Sequence, residues 1–291
     1  MGLLDKVKSL LSGNKVDLKQ RYELLREAVS GTMSKFYMAR DRETDRIVGV
    51  KLLDTKKTAD FEARLKGLKK PSEGEIAAKM VHPRIVQLIT HGITTTGEQF
   101  LVMEFLEGQG LNSLLVAKSP LLKGQEVEII RQAADALAAV HKAEFIHRDV
   151  CPRNFILSPD GKSLKLIDFG LSIPATPEFM QPGNRTGNPT YMAPEVIKRM
   201  ATDHKVDIFA LGIMAYELCT FEHPWGRGLT GKSAMDHATR EATPIEKHRP
   251  QINPRLAKAI SSCLVQNPAQ RCPSLDQFLK QIQGIERIDG K

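Results

Sequence analysis

The chain has 291 residues, of which 41% are hydrophobic and 26% charged, a balance typical of a globular protein with a sizeable core. Lys and Arg number 42 against 34 Asp and Glu, which gives a net charge of +8. This charge favours anionic partners such as nucleotide phosphate, acidic protein or membrane surface; the alternative is that the extra basic residues only form a solvated surface. The four cysteines are scattered without zinc-ligand spacing, and the most apolar run, IFALGIMAY, is too short to span a bilayer, so a cytoplasmic protein without disulfides is expected.

The opening sequence MGLLDKVKSLLSG predicts an amphipathic helix within an N-terminal extension, residues 1–20. Its apolar residues recur at helical spacing before Gly13, and they are Leu3, Leu4, Val7, Leu10 and Leu11. A helix docked on the rest of the protein, a frayed tail and a helix in weak contact with a membrane surface all fit this pattern. Lys6 stands where a myristoylation signal has Ser or Thr, so no lipid is expected on Gly2.

The next region, residues 21–103, is predicted to be rich in β-strands. The runs FYMARD and RIVGVKLL are apolar and β-rich, and the polar turn RETD joins them. DFEARLKGL and SEGEIAAKM are predicted helices on either side of Pro71. RIVQLI and QFLVMEF are then predicted strands joined by a turn at Gly97.

The character of the sequence changes after Gly108. GQEVEIIRQAADALAAVHKA is an amphipathic helix, SLKLID is a short strand, and helices dominate from Asp203 onward. The chain is thus expected to form a β-rich part, a hinge, a larger helical part and a tail, at residues 21–103, 104–108, 109–285 and 286–291. Such a layout makes a cleft, where ligands commonly bind.

Five polar residues follow one another at the ends of these elements. Lys51 ends the run VGVK, and Glu73 lies on the helical stretch that follows. Asp149 and Asn154 lie in the loop HRDVCPRN after the long helix, and Asp168 begins DFG after a short strand.

Taken in order, these fragments resemble the eukaryotic-type Ser/Thr protein kinase superfamily from about Tyr22 to Phe278. Each fragment alone is a weak signal, but six fragments with sensible gaps are specific. The resemblance implies an α+β, bilobal fold, with a small antiparallel β-sheet N-lobe that carries one regulatory helix and a larger, mainly helical C-lobe. It also implies that Glu195 in YMAPE pairs with Arg271 in NPAQRCPS, and that Asp207 in DIFALG braces the catalytic loop.

The resemblance implies ATP and Mg²⁺ as cofactors, with Mn²⁺ as an alternative metal. Lys51 would hold the α- and β-phosphates, and Glu73 would fix the orientation of Lys51, with Glu75 as the alternative partner. Asp149 would orient the substrate hydroxyl and accept its proton.

Two residues are expected to hold the metal in this scheme. They are Asn154 and Asp168, whose oxygen atoms suit Mg²⁺ shared with phosphate.

The glycine-rich loop that covers ATP in the family is altered. Its three glycine positions fall on Val29, Gly31 and Ser34, so one glycine remains. A stiffer lid that still works is expected, with impaired nucleotide binding as the alternative. Candidate nucleotide-binding residues besides Lys51 are Val29, Gly31, Met103, Glu104 and Leu106.

The catalytic loop also departs from the family pattern. Ser/Thr kinases usually carry Lys two residues after the catalytic acid, where this chain has Cys151. Arg153 is predicted to supply the missing charge and so to take part in catalysis. Asn188, in GNPTYMAPE, replaces a Thr that bridges to the acid, and its amide is expected to bridge instead. Cys151 is expected to be an inert, space-filling thiol, the alternative being a redox switch.

Regulation by phosphorylation is implied by Arg148, which precedes the catalytic acid as in family members that an activation-loop phosphate switches on. The loop offers Ser172, Thr176 and Thr186 as acceptors. Thr186, flanked by Arg185, is favoured, and Thr176 is next.

The expected partners are protein substrates with Ser or Thr, and no specific nucleic acid. Gly110 and Arg153 occupy positions where basic-directed kinases carry acids, so acidic or neutral target sequences are expected. GNPTYMAPE resembles the Ser/Thr form, while Arg153 leaves dual specificity open. The alternatives to an active protein kinase are a pseudokinase that acts as a binding or scaffold module and a small-molecule phosphotransferase.

Overall fold

A computed structural model describes residues 15–30, 34–65, 67–183, 185–226 and 232–290 of the chain. These residues form two compact units. The first holds the described chain up to Val81 and Val86–Leu106, and the second holds His82–Ile85 and the described chain from Glu107. The amphipathic helix predicted around Leu3–Leu11 lies outside the described residues.

The described part of the first unit is built on a five-stranded antiparallel sheet. Its strands are β1 (Tyr22–Ser30), β2 (Ser34–Asp41), β3 (Ile47–Leu53), β4 (Leu88–Ile93) and β5 (Gln99–Glu104). They pair in the order β1-β2-β3-β5-β4. The central strand β3 is buried along most of its length, which explains why RIVGVKLL is an almost continuous apolar run.

The core of this sheet forms from aromatic and β-branched side chains, which favour strands. The cluster consists of Tyr22, Ala39, Val48, Val50, Phe100 and Val102. Val16 and Leu18 pack against it, and the N–H of Val16 donates to the carbonyl oxygen of Ile93 at 3.0 Å. The chain from Val16 onward is therefore part of the first unit.

Three helices accompany the sheet: α1 (Leu18–Arg21), α2 (Thr55–Ala63) and α3 (Glu73–Ala77). The helix predicted in DFEARLKGL starts earlier than expected, because Asp54 caps α2 by accepting from the N–H of Lys57. The strand predicted in RIVQLI is wrong over its first four residues, 84–87. Ile85 instead makes an isolated bridge with Leu166, and β4 begins only at Leu88.

The second unit is mainly helical. Its helices are α4 (Leu111–Val116), α5 (Glu126–Lys142), α6 (Pro194–Ile197), α7 (Lys205–Thr220), α8 (Lys232–Thr239), α9 (Pro254–Cys263) and α10 (Leu275–Gln281). One short strand, β6 (Gln109–Gly110), precedes α4. Four more lie between α5 and α6: β7 (Phe145–Ile146), β8 (Phe155–Leu157), β9 (Leu164–Leu166) and β10 (Ile173–Pro174). Single 3₁₀ turns occur at Pro120–Leu122, Pro152–Asn154, Pro189–Tyr191 and Ile245–Lys247.

Helix α7 forms the centre of the second unit. Its residues from Val206 to Cys219 are all buried, and the helix packs against α5 and α9. A helix that is apolar all round is expected to be buried on every side. The antiparallel sheet of one unit and the helices of the other confirm the α+β fold class. Within the described ranges, no helix is both long and apolar enough to cross a bilayer.

Candidate active site

The structure brings Lys51 and Glu73 together inside the first unit. Lys51 lies on the buried strand β3, and its Nζ is 2.6 Å from Oε1 of Glu73 on α3. Both residues are buried, with 7% and 6% of their surface exposed. Because the two opposite charges are close together and buried away from water, each restricts the orientation of the other. The Lys51 ammonium group therefore points in one fixed direction.

Glu75, the alternative partner of Lys51, has a different task. Its side chain accepts from the N–H of Ser72 at 2.7 Å, while the Ser72 hydroxyl accepts from the N–H of Glu75. This capping box starts α3 immediately after Pro71 and places Glu73 in the first helical turn. The hydrogen bond from the Ser72 N–H also lowers the pKa of the Glu75 carboxyl.

Asp149 is the centre of a hydrogen-bond network in the loop after β7. Its carboxylate accepts from the Arg153 guanidinium at 3.0 Å, the Asn154 side-chain amide at 3.0 Å and the backbone N–H of Asn188 at 3.1 Å. Two donors from the same loop and one from a segment 39 residues later thus hold the carboxylate in one place. An acid held in this way can orient a hydroxyl group and accept its proton.

Arg153 follows the acid of the loop by four residues. Its guanidinium contacts Asp149, and half of its side chain is exposed. Partial burial lowers the pKa of Arg153, but the charge of Asp149 more than offsets this effect and raises it. Arg153 is therefore a permanent cation beside Asp149.

Cys151 is buried, with 1% of its surface exposed. Burial and then the negative charge of Asp149 raise the pKa of its thiol to about 12. Because the thiolate is the reactive form, this thiol is inert at neutral pH. The structure favours the space-filling interpretation of Cys151 over the redox switch.

The predicted metal ligands are Asn154, which directly precedes strand β8, and Asp168, which lies shortly after strand β9. The backbone N–H of Ile167, directly before Asp168, donates to the carbonyl oxygen of Asn154 at 3.0 Å. The amide nitrogen of Asn154 donates to the backbone and the carboxylate of Asp149, which leaves its amide oxygen on the other side. One carboxylate oxygen of Asp168 accepts from the N–H of Gly170 at 2.8 Å.

Asp207 at the start of α7 braces the loop, as the DIFALG motif predicts. Its buried carboxylate accepts from the backbone N–H groups of His147 and Arg148 at 2.8 Å and from Nε2 of His141 at 2.9 Å. Burial raises the pKa of this carboxyl, but the hydrogen bond from His141 and the groups of His147 more than offset it, so the pKa is lowered. Arg148 has a left-handed backbone (φ 68°), which this anchor helps to hold.

The predicted bridge from the side-chain amide of Asn188 is wrong. The backbone N–H of Asn188 contacts Asp149, while the side-chain oxygen accepts from the N–H of Thr190 and caps the turn Pro189–Tyr191. Gly187 makes this approach possible. It has φ +109°, and a Cβ there would lie 2.5 Å from the carbonyl oxygen of Arg148.

The candidate acceptors of the activation loop differ in exposure. Ser172 is completely buried, and its hydroxyl donates to the carbonyl oxygen of His147 at 3.4 Å. Thr176 is exposed and Thr186 is half-buried. Thr186 and Arg148 line the same small cavity, of about 20 Å³, beside Asp149. Ser172 is thus the least accessible of the three.

The structure describes only some of the predicted nucleotide-binding residues of the first unit. Met103 is buried in β5, and the N–H of Glu104 donates to the carbonyl oxygen of Gln87 at 3.0 Å. Leu106 is half-buried at the end of the first unit. The side chain of Val29 and the whole of Gly31 lie outside the part of the chain that the structure describes.

His147 is a site residue to which the sequence analysis gave no role. It is 1% exposed, its ring packs edge-on against Phe169 with centroids 5.6 Å apart, and its Nδ1 accepts from the N–H of Asp149. It thereby connects the DFG segment to Asp149. Its position two residues before that acid is the signal that could have found it.

Two other histidines hold the GNPTYMAPE segment. Ring N–H groups of His223 and His237 donate to the carbonyl oxygens of Thr190 and Met192, at 3.0 Å and 2.8 Å. Burial lowers the pKa of His237, which keeps its ring neutral. Because these histidines bind backbone carbonyls far away in sequence, no motif indicates them.

Glu195 and Arg271 form the ion pair that the motifs imply. The guanidinium donates to both carboxylate oxygens, at 2.7 Å and 2.9 Å, and both side chains are buried. Arg271 also donates to the carbonyl oxygens of Val265, Lys205 and Gln266. The pair is therefore fully satisfied, and it anchors the end of the activation loop.

Comparisons with known proteins agree with this geometry. The sequence profile described as "Protein kinase domain" matches residues 22–282. Serine/threonine-protein kinase pkn3 of Myxococcus xanthus is 30% identical over 94% of this chain and 51% of its own length. For the Mycobacterium tuberculosis serine/threonine-protein kinases PknD and PknA, the identities are 31% and 29%, over 86% and 93% of this chain. The chain spans 37% of the length of PknD and 62% of that of PknA.

Proposed function

Since the chain belongs to the protein kinase domain family, we propose that it is an ATP-dependent protein serine/threonine kinase, which transfers the γ-phosphate of ATP to hydroxyl groups of protein substrates. The observation that carries this proposal is the network around Asp149, in which Arg153, Asn154 and Asn188 donate to one carboxylate. The described residues offer no observation that favours the pseudokinase alternative, because the lysine, the acids and the amide of the motifs are present and engaged.

The first unit supplies a fixed cation. Lys51 is held by Glu73 at 2.6 Å, so its ammonium loses little further freedom when it meets an anion. Phosphate oxygens of ATP are the anion that the family motif assigns to it. We assign the α- and β-phosphates to Lys51 on this basis.

The second unit supplies the acid and a second cation. Asp149 orients the substrate hydroxyl and accepts its proton, and Arg153 beside it stabilises negative charge on the transferred group. Arg153 thereby replaces the lysine that the family usually has two residues after the acid. The exposed half of its side chain leaves it accessible to a phosphate group.

The residues present fit a magnesium ion. Asn154 turns its amide nitrogen toward Asp149 and keeps its oxygen for other contacts, and Asp168 offers a carboxylate. Mg²⁺ is commonly held by one or two such oxygen ligands together with substrate phosphates. Bound there, the metal would neutralise phosphate charge, and Asn154 and Asp168 would be its protein ligands.

The test is phosphate transfer from Mg-ATP to a general protein substrate by the purified chain. Lys51→Met and Asp168→Ala should each lower the rate by about 100-fold or more, since each removes a charge that acts on phosphate. Lys258→Met, a change of an exposed lysine on α9, is the matched control and should leave the rate unchanged. The proposal would be overturned if the folded wild-type chain transferred no phosphate. It would also be overturned if Lys51→Met and Asp168→Ala transferred phosphate at the wild-type rate.

We also propose that Thr186 is the main activating phosphorylation site, with Thr176 next. Arg148 is buried, with 8% of its surface exposed, and burial lowers the pKa of its guanidinium to about 10, although the charge of Asp207 raises it. A phosphate on Thr186, which lines the same cavity as Arg148, would add a charge-assisted partner for that guanidinium. Phosphopeptide mapping after incubation with ATP should find Thr186, and Thr186→Val should lower activity more than Thr176→Val. Phosphate found only outside residues 168–195 would contradict this assignment.

For the substrate we propose acidic or neutral sequences around the target Ser or Thr. Arg153 is a cation next to Asp149, and Gly110, the N-cap of α4, carries no acid. Neither residue can attract an arginine upstream of the target. A peptide array that returned basic motifs would show this preference to be wrong.

A further inference from the structure

Two buried histidines of the second unit hold backbone carbonyl oxygens of the chain that follows Asn188. Nε2 of His223 lies 3.0 Å from the carbonyl oxygen of Thr190. Nδ1 of His237, on α8, lies 2.8 Å from the carbonyl oxygen of Met192. A carbonyl oxygen can only accept, so the ring nitrogen donates in both contacts. Because the two rings are 3% and 0% exposed, both carbonyl oxygens face the interior of the unit.

The two rings are held in place by aromatic packing. They stack on each other with centroids 5.5 Å apart, and the ring of Trp225 lies 4.4 Å from that of His237. The backbone N–H of Trp225 donates to Nδ1 of His223, and its ring N–H donates to the carbonyl oxygen of Arg240. Packed and hydrogen-bonded rings have little freedom to rotate, so the directions of both histidine donors are fixed.

The contacts also determine which nitrogen of each ring carries the proton. Nδ1 of His223 accepts a hydrogen bond, so the proton of this ring lies on Nε2. Nε2 of His237 is buried and has no hydrogen-bond partner among the described residues, so its proton lies on Nδ1. The two histidines therefore act as neutral donors through different nitrogens.

Residues 190–192, which the histidines hold, lie beside the catalytic acid. The N–H of Asn188, just before them, donates to the Asp149 carboxylate at 3.1 Å. Met192 lines the same cavity of about 20 Å³ as Asp149, and Thr190 is exposed. A protein substrate whose hydroxyl group reaches Asp149 therefore passes close to this stretch.

We propose that His223 and His237 are positioning residues for the protein substrate. Each holds one carbonyl oxygen, and together they fix the backbone of residues 190–192 as a surface beside Asp149 for the substrate chain. A surface that is already ordered loses less entropy when a substrate binds, so loss of one donor weakens substrate binding. This inference rests on the proposed kinase function and deepens it, since it concerns how the same site receives its substrate.

The use of different nitrogens allows a crossed set of variants. The amide nitrogen of Asn is as many bonds from Cα as Nδ1 of histidine, and that of Gln is as many as Nε2. His237→Asn and His223→Gln should therefore retain the donor, whereas His237→Gln and His223→Asn should misplace it. The retaining side chain is the smaller amide at one position and the larger at the other, so side-chain size does not produce this pattern.

The first measurement is steady-state phosphate transfer from Mg-ATP to a general protein substrate. The two variants that misplace the donor should raise the KM for the protein substrate by about tenfold, as expected for one lost hydrogen bond. Their KM for ATP should stay within about twofold of wild type, as should both KM values of the two retaining variants. The proposal fails if all four variants raise the KM for the protein substrate equally, or if none does.

The second measurement is amide hydrogen exchange, which does not depend on phosphate transfer. The N–H of Tyr191 donates to the carbonyl oxygen of Asn188 at 3.0 Å, and the N–H of Asn188 donates to Asp149. Both amides should exchange faster in the misplacing variants and at the wild-type rate in the retaining ones.

The two measurements separate failure of this inference from failure of the kinase function. Absence of phosphate transfer by the wild-type chain, with the crossed exchange pattern intact, would refute only the kinase function. Equal exchange in all four variants would overturn the positioning role itself. Fluorescence of Trp225 checks that each variant is folded, and if one variant fails to fold, the pair at the other histidine carries the test.

Discussion

At the scale of single residues, the altered catalytic loop is explained by contacts between neighbours. Arg153 binds the Asp149 carboxylate and stands two residues after Cys151, which occupies the position where the family usually has lysine. Cys151 itself is buried and protonated. Loss of charge at one position is thus matched by a charge two residues later.

This arrangement predicts the effect of moving the charge. Arg153→Ala should lower the kcat for phosphate transfer by about 100-fold with a smaller change in the KM for ATP, because the guanidinium acts on charge at the transferred group. Cys151→Lys in the Arg153→Ala background should restore at least about one tenth of the lost rate. Lys258→Ala is the control for loss of a positive charge and should have no effect. Equal kcat values for Arg153→Ala and wild type would show that Arg153 has no catalytic part.

The contacts of single residues also show where prediction from sequence stops. The pairs Lys51–Glu73 and Glu195–Arg271 could be predicted, because the resemblance to the family assigns these partners, although it left Glu75 open as an alternative to Glu73. The hydrogen bond from the backbone N–H of Asn188 to Asp149 could not be predicted. Every residue except proline carries a backbone N–H, and the sequence does not indicate which one binds the carboxylate.

At the scale of elements, a helix or strand could be predicted correctly where the pattern of apolar residues within its own sequence determines it. The apolar run RIVGVKLL became the central strand β3, and the amphipathic pattern of α5 became a helix. RIVQLI is apolar too, but Ile85 makes an isolated bridge with Leu166, and only the last two residues of the run begin β4. An apolar run indicates burial, whereas the partner that buries it depends on distant parts of the chain.

Asp207 on helix α7 is predicted to make the stability of the fold depend on pH. The hydrogen bonds that this carboxylate accepts outweigh its burial and place its pKa in the folded protein below the value of about 3.9 expected in the unfolded chain. A lowered carboxyl pKa stabilises the fold above the unfolded value, and this contribution is lost as the pH falls through the folded pKa. Asp207→Asn should therefore lower the free energy of unfolding by about 2 kcal/mol at neutral pH. The difference from wild type should shrink below about pH 4.

The measurement for Asp207 is urea unfolding at a series of pH values. Asp276→Asn, which changes an exposed carboxylate on α10, is the matched control and should differ little from wild type at every pH. A difference for Asp207→Asn that stays constant down to pH 2 would contradict the assigned direction of the pKa shift.

At the scale of the whole chain, the second unit is held together by interactions between distant segments. Glu195 follows the activation loop and Arg271 precedes α10, yet their side chains form a bidentate pair that is almost completely removed from water. The guanidinium also lies 4.9 Å from the ring of Phe209 on α7. One ion pair therefore connects the loop, the central helix and the C-terminal helices.

The energetic consequence can be tested by removal of one partner or both. Arg271→Met should lower the free energy of unfolding by about 3–5 kcal/mol, because Glu195 is then left as an uncompensated buried charge. The double variant Glu195→Met/Arg271→Met should be more stable than Arg271→Met alone, since no buried charge remains. Urea unfolding can be followed by the fluorescence of the chain's single tryptophan, Trp225, which stacks on Phe209. Lys142→Ala breaks an exposed pair with Asp276 and should cost less than about 1 kcal/mol. A double variant less stable than Arg271→Met would mean that Glu195 stabilises this region through contacts other than its charge pair.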